Sequence, residues 1–121
     1  IQRVAIYEYL CKEKNHPTAD IIHQALEEKY PTLSRTTCYN TLKLFEEKKV
    51  VQSIQIEDEA VRYDADTSEH LHFKCTNCQN VYDIFVKNAA PISNNIKSII
   101  SSDFKISKIQ TNIWGTCKNC N

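Results

Sequence analysis

The chain has 121 residues, with 15 Lys and Arg against 15 Asp and Glu and a formal net charge of zero. That length fits one domain or two very small ones. The charge balance excludes a general basic coat, so nucleic-acid binding would rest on a local patch and its non-specific part would be weak and salt-sensitive. No apolar run is long enough to span a bilayer, and no signal peptide is visible at Ile1. Six cysteines in a secreted chain would suggest disulfides, but their paired spacing favours zinc in a reducing, cytoplasmic compartment. A domain this small buries a poor fraction of its surface, so a structural metal or an obligate dimer is expected to help stabilise it.

The first half is predicted to be helical. Val4, Ile6, Tyr7 and Leu10 recur at helical spacing. Pro17 interrupts, and Thr18 is the predicted N-cap of a second amphipathic helix carrying Ile21, Ile22, Ala25, Leu26 and Tyr30. Tyr30-Pro31 ends it. Ser34 is the predicted N-cap of a third helix, with Cys38, Leu42 and Phe45 on its apolar face. After Lys48-Lys49 the period shortens to two through Val50–Ile56, and a second strand over Ala60–Tyr63 follows the acidic turn Glu57-Asp58-Glu59. Three helices and a β-hairpin outline a winged helix-turn-helix. Ala65–Glu69 is polar and short, a predicted hinge. Beyond it, strands are predicted at His70–Cys75, Val81–Val86 and Lys105–Trp114, with a helix between Ile92 and Ser101. The expected fold class is therefore α+β. A winged-helix DNA-binding domain covers 1–64, and a small α/β dimerisation and metal-binding domain covers 65–121. The single glycine, Gly115, is expected to turn the chain into the last cysteine pair.

Four cysteines form two Cys-x-x-Cys pairs, Cys75/Cys78 and Cys117/Cys120. Each pair makes a tight turn that points two thiolates at one ion, and two such turns complete a tetrahedral zinc site. The competing reading, a redox-active pair, lacks the surrounding βαβ pattern. Cys11 and Cys38 lie on apolar helix faces and are expected to pack in the core. His70 and His72 are two apart on a predicted strand, so both leave one face. Asp83 lies on the next strand, Asp64 before the hinge, and His16 in the loop before the second helix. Isolated histidines are usually ordinary polar residues. Three that fall at positions able to converge, with carboxylates nearby, suggest a labile metal site. His23, on a helix, is expected to face solvent. The third helix has recognition-helix chemistry. Tyr39 and Asn40 suit base edges, Arg35 and Lys43 suit phosphates, and Ser34, Thr36 and Thr37 complete the candidate DNA contacts.

These residues resemble the ferric uptake regulator (Fur) family of bacterial metal-dependent repressors along essentially the whole chain. The matching stretches are Gln2-Arg3, His16–Asp20, Ser34–Leu42, Arg62–Asp64, His70–Cys78 and Gly115–Cys120. Within the family the chain is most similar to the peroxide-responsive branch (PerR). Asp83 stands where uptake regulators usually have Glu, and Asn40 where they usually have Arg. The resemblance implies a homodimer on palindromic, AT-rich double-stranded DNA, acting as a repressor and not an enzyme. It implies a structural Zn(II) at Cys75, Cys78, Cys117 and Cys120. It also implies a regulatory Fe(II) or Mn(II) at His16, Asp64, His70, His72 and Asp83, with peroxide-driven oxidation falling on His16 or His70. There are departures. Cys38 replaces a usual Val, a packing change. Ile109 and Asn112 stand where many members have His and Glu, which weighs against the additional metal site some relatives build there. Two other readings stay open: a metal-uptake regulator without peroxide chemistry, and a zinc-stabilised protein-interaction module without DNA binding.

Overall fold

A computed structural model describes residues 1–56, 60–68, 70–85 and 90–121. The acidic turn Glu57-Asp58-Glu59, Glu69 of the expected hinge and Val86 of the expected strand lie outside the described residues. The chain folds as two compact units, Ile1–Thr67 and Ser68–Asn121.

The first unit contains α1 (Gln2–Lys12), α2 (Ala19–Leu26), α3 (Arg35–Glu47), β1 (Gln52–Ile54) and β2 (Arg62–Asp64). Caps set the helix starts. Thr18 Oγ1 accepts the Ile21 N–H at 3.2 Å, and Ser34 Oγ accepts the Thr37 N–H at 3.0 Å, each meeting one of the orphan donors of a first turn. α3 ends with Lys49 in the left-handed region (φ 61°), while the Val50 N–H returns to the Phe45 carbonyl at 3.0 Å. Ile6, Leu10, Ala19, Ile22, Leu33, Cys38, Leu42, Val51 and Tyr63 form the core. Full burial of a side chain such as Leu42 or Ile22 stabilises the fold by about 1.5–3 kcal/mol. Of the apolar residues that recur at helical spacing in α1, Val4 is 59 % exposed and Tyr7 37 %. They line an open apolar groove with Phe45 and Val50, and Tyr7 meets the Phe45 ring edge-on. Cys38 is buried as expected, but Cys11 is exposed, because α1 turns Ala5, Ile6 and Leu10 inward instead.

β1 and β2 pair antiparallel as a wing, Ser53 opposite Tyr63. The Tyr63 N–H donates to the Pro17 carbonyl at 2.9 Å, and Thr18 bridges to Arg62. These contacts tie the loop before α2 to the wing.

The second unit contains β3 (Leu71–Cys75), β4 (Val81–Ile84), α4 (Ala90–Ile99) and β5 (Asn112–Gly115). The sheet order is β4-β3-β5, with β4 antiparallel and β5 parallel to β3. The long strand expected from Lys105 to Trp114 shrinks to four residues. A ladder cannot outrun its partner, and β3 offers only five residues. Gly115 does not turn the chain. It ends β5 without a positive φ, and a Cβ there would lie 2.9 Å from the Phe73 ring. Its role is to make room for that ring.

Candidate metal sites and recognition helix

In the second unit, Cys75 ends β3, and Cys78 follows in the turn that Gln79 closes with φ 67°. The Gln79 N–H returns to the Cys75 carbonyl at 3.0 Å. Cys117 and Cys120 form the matching turn after β5, with the Cys120 N–H on the Cys117 carbonyl at 3.0 Å. The four sulfurs lie within 4.8 Å of one another, and Cys78 and Cys117 Sγ are 3.8 Å apart. Ligands about 2.3 Å from a tetrahedral zinc lie about 3.8 Å from each other, whereas a disulfide needs about 2.05 Å. The spacing is therefore that of thiolates around one ion. The N–H groups of Cys78 and Cys117 both donate to Cys75 Sγ at 3.4 Å. Those donors, with the Asn77 N–H and the Cys78 thiol, outweigh burial and pull the Cys75 thiol down to about 6. The Tyr82 hydroxyl beside Cys117 holds that thiol below its usual range. An Asn77 hydrogen bond favours the Cys120 thiolate, but Cys117, burial and the other two sulfurs outweigh it and push Cys120 up to about 11.

The same sheet carries the second cluster. Register places His72 opposite Asp83, and the period of two places His70 on the same face. His70 Nε2 lies 3.1 Å and His72 Nε2 3.4 Å from a single oxygen, Asp83 Oδ1. The two imidazole centroids are 4.6 Å apart, and Phe85 lies against His70. His70 Nδ1 sits 2.7 Å from the Ser68 carbonyl. A carbonyl only accepts, so Nδ1 is the donor in this contact and Nε2 is the nitrogen turned to Asp83. Both histidines are buried. Two ligands about 2.1 Å from one ion at a right angle lie about 3.0 Å apart, so these edges fit an imidazole-carboxylate metal site.

In the first unit, His16 and Asp64 form a pair, with Nε2 to Oδ2 at 3.5 Å. His16 is buried and adopts φ 55°, uncommon outside glycine. Arg62 donates to its carbonyl at 3.2 Å. Asp64 Oδ1 accepts the Asp66 N–H at 2.9 Å, which leaves Oδ2 for His16. His23 departs from expectation. It is half-buried, with Nε2 2.8 Å from the Leu33 carbonyl, and it fastens α2 to the segment before α3.

On α3, Tyr39, Asn40, Arg35, Thr36, Lys43 and Ser34 are exposed, while Cys38, Thr41 and Leu42 face the core. Thr37 is half-buried, its hydroxyl 2.9 Å from Ser34 Oγ, so it serves the cap. Arg35 lies 3.9 Å from Asp20. A cleft of about 820 Å³ runs between the start of α1 and α3, lined by Gln2, Arg3, Asn40 and Lys43 among others. Gln2 and Arg3 carry part of the family resemblance and also belong to this polar face, which the sequence alone does not show. The charge of Arg3 and the position of both residues at a helix start are the available signal.

The profile of the Ferric uptake regulator family matches residues 1–114. The peroxide operon regulator of Bacillus subtilis (strain 168) is 37% identical over 119 residues, covering 98% of this chain and 81% of that protein. The Campylobacter jejuni peroxide stress regulator superposes with a TM-score of 0.81 at 24% identity, covering 98% of this chain and 88% of that one. A PerR structure from Streptococcus pyogenes, described as the basis for peroxide sensing and gene regulation, gives a TM-score of 0.52 at 26% identity, over 99% of this chain and 81% of that one.

Proposed function

This chain belongs to the ferric uptake regulator family, and from that premise we propose that it is a metal-dependent transcriptional repressor that senses peroxide. The first unit reads a palindromic, AT-rich operator through the outer face of α3, and the wing contacts the backbone. The second unit pairs two copies. Ile99, Phe104, Phe85 and Trp114 are 82 %, 70 %, 60 % and 54 % exposed, an apolar burden that a second copy would cover. Zn(II) at Cys75, Cys78, Cys117 and Cys120 holds the C-terminal segment to the sheet. His16 and Asp64 of one unit, with His70, His72 and Asp83 of the other, hold one Fe(II) or Mn(II). The cytoplasm is where such a repressor meets its DNA.

Ligands drawn from two units make DNA affinity depend on the ion. Fixing the units sets the spacing of two recognition helices against successive turns of the operator. Without the ion, the DNA-competent arrangement is a minor population. Bound iron supplies redox chemistry toward peroxide. One peroxide oxygen then adds to a carbon of the His16 or His70 ring, and the other leaves as water. The ring gives up the two electrons that peroxide gains. An oxidised ring is a poor ligand, so the operator is released. The observation that carries this reading is the aim of two buried imidazoles, His70 and His72, at one Asp83 oxygen.

The test compares Fe(II)- and Mn(II)-loaded protein on palindromic DNA, before and after brief peroxide exposure. The Fe(II) form is expected to leave the DNA, with one added oxygen on a peptide containing His16 or His70, while the Mn(II) form stays bound. Asp83→Glu is expected to slow oxidation and keep metal-dependent binding. Equal peroxide resistance of the two forms would overturn peroxide sensing in favour of a metal-uptake regulator.

A further inference from the structure

β3 lies between β4 and β5, so His72 has a neighbour on each side. Asp83 pairs with it from β4 and Asn112 from β5. The His72 N–H donates to the Thr111 carbonyl at 3.1 Å, which holds that register. Residues in register send side chains to the same face, so the row across the sheet is Asp83, His72, Asn112. Asparagine is depleted in strands, and here it opens the edge strand β5 beside a buried histidine. Asn112 Nδ2 donates to Gln110 Oε1 at 3.4 Å. This orients the amide, and Oδ1 is left buried with no hydrogen-bond partner among the described residues. A buried carbonyl oxygen without a donor is costly to keep. Its presence marks a place where a donor is to be supplied.

His70 shows what such an acceptor does. Its Nδ1 is held by the Ser68 carbonyl while Nε2 faces Asp83. His72 also turns Nε2 to Asp83, and Asn112 is its neighbour on the other strand. We propose that Asn112 is a positioning residue for the regulatory metal site: its Oδ1 accepts the Nδ1–H of His72 on metal loading and keeps Nε2 as the ligating nitrogen. Asn112 is to His72 what the Ser68 carbonyl is to His70. Fixing the tautomer and tilt of a ligating imidazole in this way typically changes metal affinity by about 10- to 100-fold. The inference rests on the proposed regulatory site.

The experiment uses the zinc-replete chain and its Asn112→Leu, Asn112→Asp and His72→Ala variants. Mn(II) affinity is measured by titrating free Mn(II) in electron paramagnetic resonance, with zinc content and thermal midpoint recorded alongside. A second equivalent of Zn(II) serves as a diamagnetic probe for ¹⁵N-edited spectra of the histidine rings. Asn112→Leu, which keeps the shape and removes the acceptor, is expected to weaken Mn(II) by about 10- to 100-fold with the four-cysteine zinc retained. Asn112→Asp, which keeps an acceptor, is expected to recover most of the loss. The parent is expected to show a slowly exchanging His72 Nδ1–H with Nε2 metal-bound, and Asn112→Leu to lose that proton signal. Parental Mn(II) affinity in Asn112→Leu, with affinity lost in His72→Ala, overturns this inference alone. Parental affinity in His72→Ala overturns the site itself. Should Asn112→Leu not fold, the parent spectrum decides, since a His72 ligated through Nδ1, or lacking the protected Nδ1–H, overturns the proposal.

Discussion

The contact between Gly115 and Phe73 shows how one missing methyl group supports a metal site. Phe73 lies on β3 two residues before Cys75, and Gly115 lies on β5 two residues before Cys117. A Cβ at Gly115 would meet the Phe73 ring at 2.9 and 3.2 Å, below ordinary contact. Either the ring tilts or the two strands part, and parting them separates the cysteine pairs. Gly115→Ala is expected to cost about 1–3 kcal/mol, the usual penalty of overpacking. Urea unfolding measures that cost, and zinc retention against a chelator should fall with it. Phe73→Leu in the same chain should restore both, because it removes the atoms in conflict. Asn40 is the counterpart on the DNA side. It is exposed on α3 and lines the cleft shared with Gln2 and Arg3, so its loss should leave the fold alone. Asn40→Ala is expected to weaken operator binding by about 1–3 kcal/mol through the lost base contact, read by titration at fixed salt and saturating Mn(II). Unchanged affinity would remove Asn40 from the readout.

Among the elements, α2 helps to hold the loop that carries His16. Its N-cap Thr18 follows directly on His16 and Pro17 and also bridges to Arg62. Thr18→Ala is expected to cost about 1 kcal/mol of stability and Thr18→Ser almost nothing, measured by urea unfolding of the zinc-loaded chain. The three helices were legible because their signals are local: Ser and Thr caps, Pro17, and a buried stripe at steps of three and four. The even spacing of His70 and His72 likewise carried to a shared face without knowledge of the sheet. What depends on a distant partner was harder to read. Nothing near Lys105 says that its neighbours find no ladder, because the limit is the length of β3. Nothing near Asn112 says that it lies opposite His72, because a parallel pairing of β3 with β5 joins residues forty apart in the chain. Gly115 before a cysteine pair suggests a turn because glycine usually is one, whereas its cause is a ring on another strand. The apolar stripe of α1 points Cys11 toward the core, but the helix is rotated to bury Ala5, Ile6 and Leu10 instead.

For the whole molecule, the question is whether one ion can switch a protein of zero net charge on and off DNA. Without a basic coat, affinity in the proposed reading comes from two recognition helices held at the right spacing, and their joint engagement is what the ion would control. To carry a two-state equilibrium from about 1:99 to 99:1, the ion must prefer the DNA-competent state by about 10⁴-fold, or about 5.5 kcal/mol. In the proposed site that preference can arise only from ligands added across the two units, since His70, His72 and Asp83 are already gathered on their own sheet. His16 and Asp64 are the additional ligands, so the coupling resides in them. His16→Ala is therefore expected to separate two properties. Mn(II) should still bind, more weakly, at the remaining ligands, and the thiolate-bound zinc and the dimer should persist. Operator affinity, however, should no longer rise with Mn(II). The check is an operator titration with and without Mn(II) at constant ionic strength, beside a direct Mn(II)-binding measurement. A His16→Ala chain whose DNA affinity still responds to Mn(II) like the parent would mean that the ion acts within the second unit alone, and the switch would then have to run through the dimer interface.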